Sequence, residues 1–380
     1  MPDMLTAARA VTDVVEREAA ASEAAGTLTA AVVNALHEAR LFRLMTPKEL
    51  GGEEADLTTV LAVYEEVTRA DASTGWSLLA NATTTGFAGA FLGDRAVKAM
   101  FGGDADPVHA GQFAPRGTSV AVDGGYEVAG RYSFGSGCAH AGWIGGGTIE
   151  VADGEPAVSE RGLPVIRAFF VPAGNVELLG NWDVMGLCGT GSYDYAVTEQ
   201  TVDEAYTFRL VEDEPQRGGP LYRLGVLGLT AVGHAAFALG VGKRALEELV
   251  AVVGGKQRLG ATAPVRDQQL FRHDLGVHDA ALRAARAFVF EVFDDAQTTL
   301  ERGEEASVLQ RQRLRQATTY ATRVAVDTVR FAYTWAGTDA LRTSVLQRCF
   351  RDMHAATQHV FVDNDTMTET GRLLLDVTAS

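Results

Sequence analysis

The spacing of hydrophobic residues changes twice along this chain, and that pair of changes limits the available folds more than any single motif. Up to about residue 105, apolar side chains recur three and four apart: Val11, Val14 and Val15, then Val32, Val33 and Leu36, then Leu57, Val60, Leu61, Tyr64 and Val67. That spacing, in alanine-rich sequence, predicts helices. Thr46-Pro47 and Gly51-Gly52 interrupt the pattern, a helix is expected to begin near Asp56, and the run from Asp71 to Trp76 supplies N-cap residues for another. From Pro107 the period shortens to two. Val120-Ala121-Val122, Asp123-Gly124-Gly125 and Tyr126-Glu127-Val128 read as strand, turn and strand, and further strands are expected at 143–149, 165–171 and 193–197. No helical run separates them, so an antiparallel β domain is predicted. After Pro215 and Gly218-Gly219-Pro220, helical spacing returns in four long segments, about 222–251, 267–300, 307–335 and 346–375, expected to pack as an antiparallel bundle. The fold class is therefore α+β, with an N-terminal helical domain at 1–107, a β domain at 108–215 and a helical bundle at 216–380.

The net charge of −16 makes a surface that repels nucleic acid and anionic lipid, so neither is an expected partner. Cys138, Cys188 and Cys349 are far apart and form no CxxC pattern, which indicates neither a disulfide framework nor a zinc site and fits a reducing cytoplasm. The first residues mix acidic and basic side chains without an apolar run, so no secretory signal is expected. Between Arg223 and Lys243 lie 19 uncharged residues, long enough to raise a membrane span. They include Gly225, Gly228, Gly233, Gly240, Gly242 and His234, and a close-packed interior helix is the better reading.

No GxGxxG follows a strand, and GxxxxGK[ST] and GxSxG are absent, which removes the main support for dinucleotide-binding, P-loop and α/β-hydrolase readings. Gly189-Thr190-Gly191-Ser192 is read as a turn, with phosphate cradling as its alternative. The run LQRCFRDMHAATQH, 346–359, puts Arg351 and Asp352 just ahead of His354, with His359 beyond. An imidazole beside an ion-pairing dyad is an acid/base candidate; a structural salt bridge with two packed histidines is the competing reading. Five residues turn a helix by about 500°, roughly 140° off-face, so His354 and His359 cannot chelate one ion, and no metal is expected.

The α-β-α order and the string Trp182-Asp183-Val184-Met185-Gly186-Leu187-Cys188-Gly189-Thr190-Gly191-Ser192 resemble the acyl-CoA dehydrogenase superfamily over almost the whole chain, although Cys188 stands where arginine is usual. The segment from Val108 to Ser119 occupies the place of the family's flavin-contacting strand, and Tyr132 to Gly137 that of the segment behind the flavin. The family's glutamate base is missing: no Glu lies between Asp352 and Thr368. Arg351-Asp352-x-His354-Ala355-Ala356, Phe134-x-Ser136-Gly137 and Ala72-Ser73-Thr74-Gly75-Trp76 are instead similar to the two-component flavin-dependent monooxygenases of this fold.

That resemblance implies an oxygenase component using O2 and reduced flavin, FAD or FMN, from a separate reductase to hydroxylate a small aromatic or polyketide-like substrate. It implies His354 as base or hydrogen-bond partner at the substrate and Ser136 as a donor at the flavin N5. Gln112, Thr118, Gly135, Gly137, Lys256, Gly337 and Thr338 are implied in holding the flavin, as is a homotetramer with flavin at subunit contacts. Trp76 and His359 are candidates for the substrate pocket, with core packing for Trp76 and a structural role on another helix face for His359 as the competing readings. The alternatives are an acyl-CoA dehydrogenase whose base has moved to Asp363 or Asp365, and a non-catalytic scaffold.

Overall fold

The protein was analysed as a computed structural model, which describes residues 3–103 and 108–378. The expected boundary at Pro107 lies outside them. Five N-terminal helices, α1 (Met4–Ala25), α2 (Ala30–Glu38), α3 (Leu57–Ala70), α4 (Ala72–Phe91) and α5 (Asp94–Phe101), precede eight strands. These are β1 (His109–Val122), β2 (Gly125–Gly135), β3 (Trp143–Ala152), β4 (Glu155–Pro156), β5 (Ile166–Pro172), β6 (Glu177–Leu178), β7 (Tyr193–Asp203) and β8 (Thr207–Arg209). Helices α6 (Gly225–Val253), α7 (Gln269–Glu301), α8 (Val308–Ala336), α9 (Thr338–Leu341), α10 (Val345–Ala356) and α11 (Asp365–Thr378) follow. Two compact units result, one of Met1–Asp56, Trp76–Asp183 and Cys188–Leu229, the other of Leu57–Gly75, Val184–Leu187 and Thr230–Ser380.

In the first unit the sheet runs β6-β7-β2-β1-β3-β5-β8, with β4 on β3. The expected hairpin forms, with Gly125, read as part of the turn, opening β2 opposite Val122, but the sheet is not wholly antiparallel: β1 and β3 are parallel, Gln112 opposite Gly146. The reason is geometric. β2 returns the chain to the end where β1 began, and the short crossing through Cys138–His140 delivers it to the far side of β1, so the next strand must run with β1. Glycines on β3 admit the core: a Cβ on Gly146 would lie 2.6 Å from the Tyr132 ring and 2.8 Å from that of Phe169. Tyr132 stacks on Tyr195 at 5.0 Å, and both phenols are satisfied by β3 carbonyls, those of Gly147 and Gly145.

In the second unit, α3 and α6 approach closely because Gly240 has no side chain; a Cβ there would sit 2.6 Å from the Glu65 carbonyl. Ala231, Val232, Ala235, Ala236 and Ala238 of α6 are all fully buried, so the uncharged run is a core helix. The expected fourth helix, 346–375, is two helices. α10 stops at Ala356, and Asp363 restarts the chain by accepting from the Thr366 amide at 3.0 Å, an N-cap that the apolar spacing of the flanks concealed.

Candidate active site

β2 ends at Gly135, and the chain turns through Ser136 because Gly137 adopts φ +70°, a left-handed conformation that favours glycine. Space enforces the same choice, since a Cβ on Gly137 would collide with Asn81 Oδ1. Asn81, fully buried on α4, donates both amide hydrogens, to the carbonyls of His109 (3.0 Å) and Ser136 (3.3 Å), and accepts from His140 Nε2 (3.0 Å). One side chain thus rivets the turn. Phe134, just ahead of it, is held at φ +67° and 63% exposed, a strained position of the kind that clusters at functional sites.

The Ser136 hydroxyl accepts the Trp76 indole N–H at 3.1 Å and lies 2.7 Å from Ser192 Oγ, which lies 2.7 Å from Thr190 Oγ1. The Gly137 amide donates to the Thr190 carbonyl at 3.1 Å, so the two loops carrying these hydroxyls are tied through backbone as well. Ser136, Gly135, Gly137 and Trp76 are therefore brought together.

Gln112 joins them through Tyr195: its amide donates to the Tyr195 hydroxyl at 2.9 Å, and Gly135 packs on the Tyr195 ring. The Gln112 Oε1 atom is buried with no hydrogen-bond partner, an acceptor waiting for a donor. Thr118 sits elsewhere, exposed and further along β1, opposite Ala129 and Ile149. Burial lowers His109 to about 3; burial, then the charge of His37, lowers His140 to about 4, so both rings are neutral near pH 7.

In the second unit, the His354 Nδ1–H donates to the Phe350 carbonyl one turn back at 2.7 Å, and Nε2 accepts from the Arg330 Nε–H at 3.2 Å. A carbonyl and a guanidinium leave one tautomer, with the proton on Nδ1 and the lone pair on Nε2. Arg351 and Asp352, expected as an ion-pairing dyad, both grip a segment that follows β6 in sequence. Arg351 donates to the Met185 carbonyl at 2.9 Å and buried Asp352 accepts from the Leu187 amide at 2.6 Å. Consecutive residues on a helix diverge by about 100° and do not face one another. Between those bonds, Gly186 must be glycine, because a Cβ would collide with the Arg351 carbonyl.

His359 lies beyond α10, so its expected placement on another face of one long helix does not apply. Its ring packs on His234 at 3.9 Å; burial lowers His359 to about 4 and, with the charge of His359, holds His234 well below the usual imidazole range. Lys256, Gly337 and Thr338 are brought together: Lys256 pairs with Asp339 at 2.5 Å, and a Cβ on Gly337 would lie 4.0 Å from Lys256 Nζ. Arg258 lies over the Trp335 ring at 4.8 Å beside them. Asn81, Ser192, Arg330 and His234 were not singled out as site residues by the sequence reading. The one available signal for Asn81 is an amide set among the apolar Leu78, Leu79 and Ala82.

The family models for the acyl-CoA dehydrogenase N-terminal and C-terminal domains match residues 4–101 and 232–364. The chain belongs to the acyl-CoA dehydrogenase superfamily. It is 29% identical over 343 residues to an indole-3-acetate monooxygenase of Pseudomonas putida, covering 90% of this chain and 86% of the relative. It is 27% identical to the oxygenase subunit HsaA of a flavin-dependent monooxygenase of Rhodococcus jostii, covering 91% and 92%. The structure of XiaF from a Streptomyces species, in complex with FADH2 and glycerol, superposes with a TM-score of 0.87 at 22% identity, covering 97% and 93%, and shares the fold.

Proposed function

We propose that this chain is the oxygenase component of a two-component flavin-dependent monooxygenase, hydroxylating a small aromatic or polyketide-like substrate with O2 and reduced flavin from a separate reductase. One observation carries the choice over a dehydrogenase with a displaced base. Asp363 is exposed and occupied as a helix cap on the amide and hydroxyl of Thr366, and Asp365 is exposed in the next turn, so neither is a buried carboxylate held for an α-carbon proton. The imidazole of His354 is the base that remains, and its lone pair is presented at Nε2. A neutral imidazole suits removal of a phenolic proton, which makes an aromatic ring more nucleophilic.

The residues present fit a flavin. In the first unit the unpartnered Gln112 Oε1 suits a ring N–H and the Ser136 hydroxyl a ring nitrogen, while Thr118 stands apart from those two; in the second, Lys256, held by Asp339 beside Gly337, suits an anionic phosphate. When bound, reduced flavin supplies the two electrons that let one atom of O2 enter the substrate and the other leave as water. The chain's part is to orient substrate, exclude water and accept the substrate proton at His354 Nε2, which exchanges its Arg330 hydrogen bond for the substrate hydroxyl. Trp76 keeps its ring beside Ser136 as part of the pocket wall, and His359, paired with His234, serves packing. Exposed Leu259, Leu270 and Val277 suit burial against further copies in a cytoplasmic homotetramer.

Anaerobic titration tests the reading: the protein should bind reduced FAD or FMN more tightly than the oxidised form and, with a reductase and O2, yield hydroxylated phenol. Tight oxidised FAD that bleaches on adding an acyl-CoA would identify a dehydrogenase instead.

A further inference from the structure

We propose that Arg116 and Arg131, with the Thr118 hydroxyl, form an oxyanion-binding site on the outer face of the sheet, suited to a phosphate or carboxylate group. The strands carry four arginines, and they divide into two pairs. Arg167 and Arg209 share the Glu150 carboxylate, at 2.7 Å and 3.1 Å. Arg116 and Arg131 are exposed, and their guanidiniums make no hydrogen bond or ion pair with any described residue. In a chain of net charge −16, two uncompensated guanidiniums on neighbouring strands are not the by-product of a basic surface.

Their placement follows from the glycines beside them. Gly117 pairs with Gly130 across β1 and β2, and a Cβ on either would lie 2.5 Å from the Tyr132 hydroxyl, so this row faces the core. Arg116 and Arg131, each one residue beyond that pair, are both exposed on the opposite face, as strand alternation requires. β1 bulges at this point: it advances two residues, from Pro115 to Gly117, where β3 advances one, from Gly147 to Thr148, and such a bulge re-aims a side chain. Thr118, two residues along β1 from Arg116, is exposed beside it. Like charges at adjacent cross-strand positions repel, and an oxyanion between them turns that repulsion into attraction. No carboxylate of the chain does this. Glu177 shares a row with Arg131 through Ala196 but lies two strands away, about 10 Å, and neither it nor Glu199 on β7 pairs with either arginine. A planar guanidinium offers parallel N–H donors that match two oxygens of a phosphate or carboxylate.

The test measures binding of inorganic phosphate and of benzoate to the whole chain by titration calorimetry at constant ionic strength. Arg116→Met and Arg131→Met should each weaken the parent's binding about tenfold, whereas Arg161→Met, which removes an exposed arginine between β4 and β5, should leave it unchanged. Arg131→Lys, which keeps the charge but loses the fork, should weaken it about threefold. Without either anion, the urea midpoint of each Met variant should equal or exceed that of the parent, because removing one charge relieves the other. The site does not depend on the flavin reading, since both probes report on it whether or not flavin binds. Anaerobic affinities of reduced FMN and reduced riboflavin identify the source of the oxyanion. In the Met variants, weaker FMN with unchanged riboflavin supports the site and assigns it to the flavin phosphate; weaker benzoate with both flavins unchanged supports it and assigns it to a carboxylate substrate. A parent that binds neither probe saturably, or an equal loss in Arg161→Met, would overturn the proposal. A lower midpoint in both Met variants with probe affinity intact would overturn it too, as the mark of structural arginines.

Discussion

The Ser136 turn and the His354 helix are built in opposite ways. Ser136 is held by donors on several sides, its backbone riveted by Asn81 and its hydroxyl tied into a chain of buried groups. His354 is half-buried, donates one bond to its own helix and meets the exposed guanidinium of Arg330 at Nε2. The difference matches the two tasks. A hydroxyl that must meet a fixed ring gains from preorganisation, whereas a base that must take a proton gains from a partner it can release.

The sharpest way to break the comparison is His354→Ala. Product formation should fall about 10²- to 10⁴-fold while O2 is still consumed and released as hydrogen peroxide. Product per O2 equal to that of the parent would make His354 a packed histidine and leave the catalytic role to Ser136 alone.

On the other side, Gly137→Ala forces a side chain into a left-handed position and onto Asn81, and should cost about 2–4 kcal/mol. Chemical denaturation reads that loss; a midpoint unchanged from the parent would show that the turn is not the rigid element described.

A smaller effect concerns the histidine pair near α10. His359 falls from 6.5 to about 4 by burial, and His234 is held well below the usual imidazole range by burial and by the charge of His359. Unfolded imidazoles therefore bind protons that the folded pair refuses. Stability is complete above pH 6.5 and declines as the pH falls toward about 4, by about 2–3 kcal/mol for His359. Thermal melts between pH 7 and pH 4.5 should show the decline, and His359→Gln should flatten it; a slope unchanged by the substitution would assign the acid sensitivity to other groups, such as His109 and His140.

The smallest expected change is Arg351→Met, whose lost bond to the Met185 carbonyl should by itself cost about 1 kcal/mol. A loss as large as that of Gly137→Ala would mean that Arg351 does more than hold this segment.

The helices and hairpin were legible because apolar spacing reports which face is buried, and that face sets the element. Pairing direction was not, because it follows from where β2 leaves the chain rather than from any residue in β3. The break after Ala356 was hidden for a similar reason: Asp363 reads as a cap only once Thr366 is seen to start a helix. Ser136 and His354 were singled out from local strings, but their partners were not. Trp76, Asn81 and Ser192 lie 55 to 60 positions from Ser136, and no local pattern connects them.

The indole of Trp76 has a use beyond holding a hydroxyl. Indole emission shifts with the strength of the bond at Nε1 and is drained by any acceptor chromophore nearby. Because that bond ends on Ser136, the chain carries an intrinsic optical gauge at the one hydroxyl whose state matters most. Three other tryptophans share the background, at Trp143, Trp182 and Trp335, and replacing each by phenylalanine would leave Trp76 as a single-site reporter of what arrives beside Ser136.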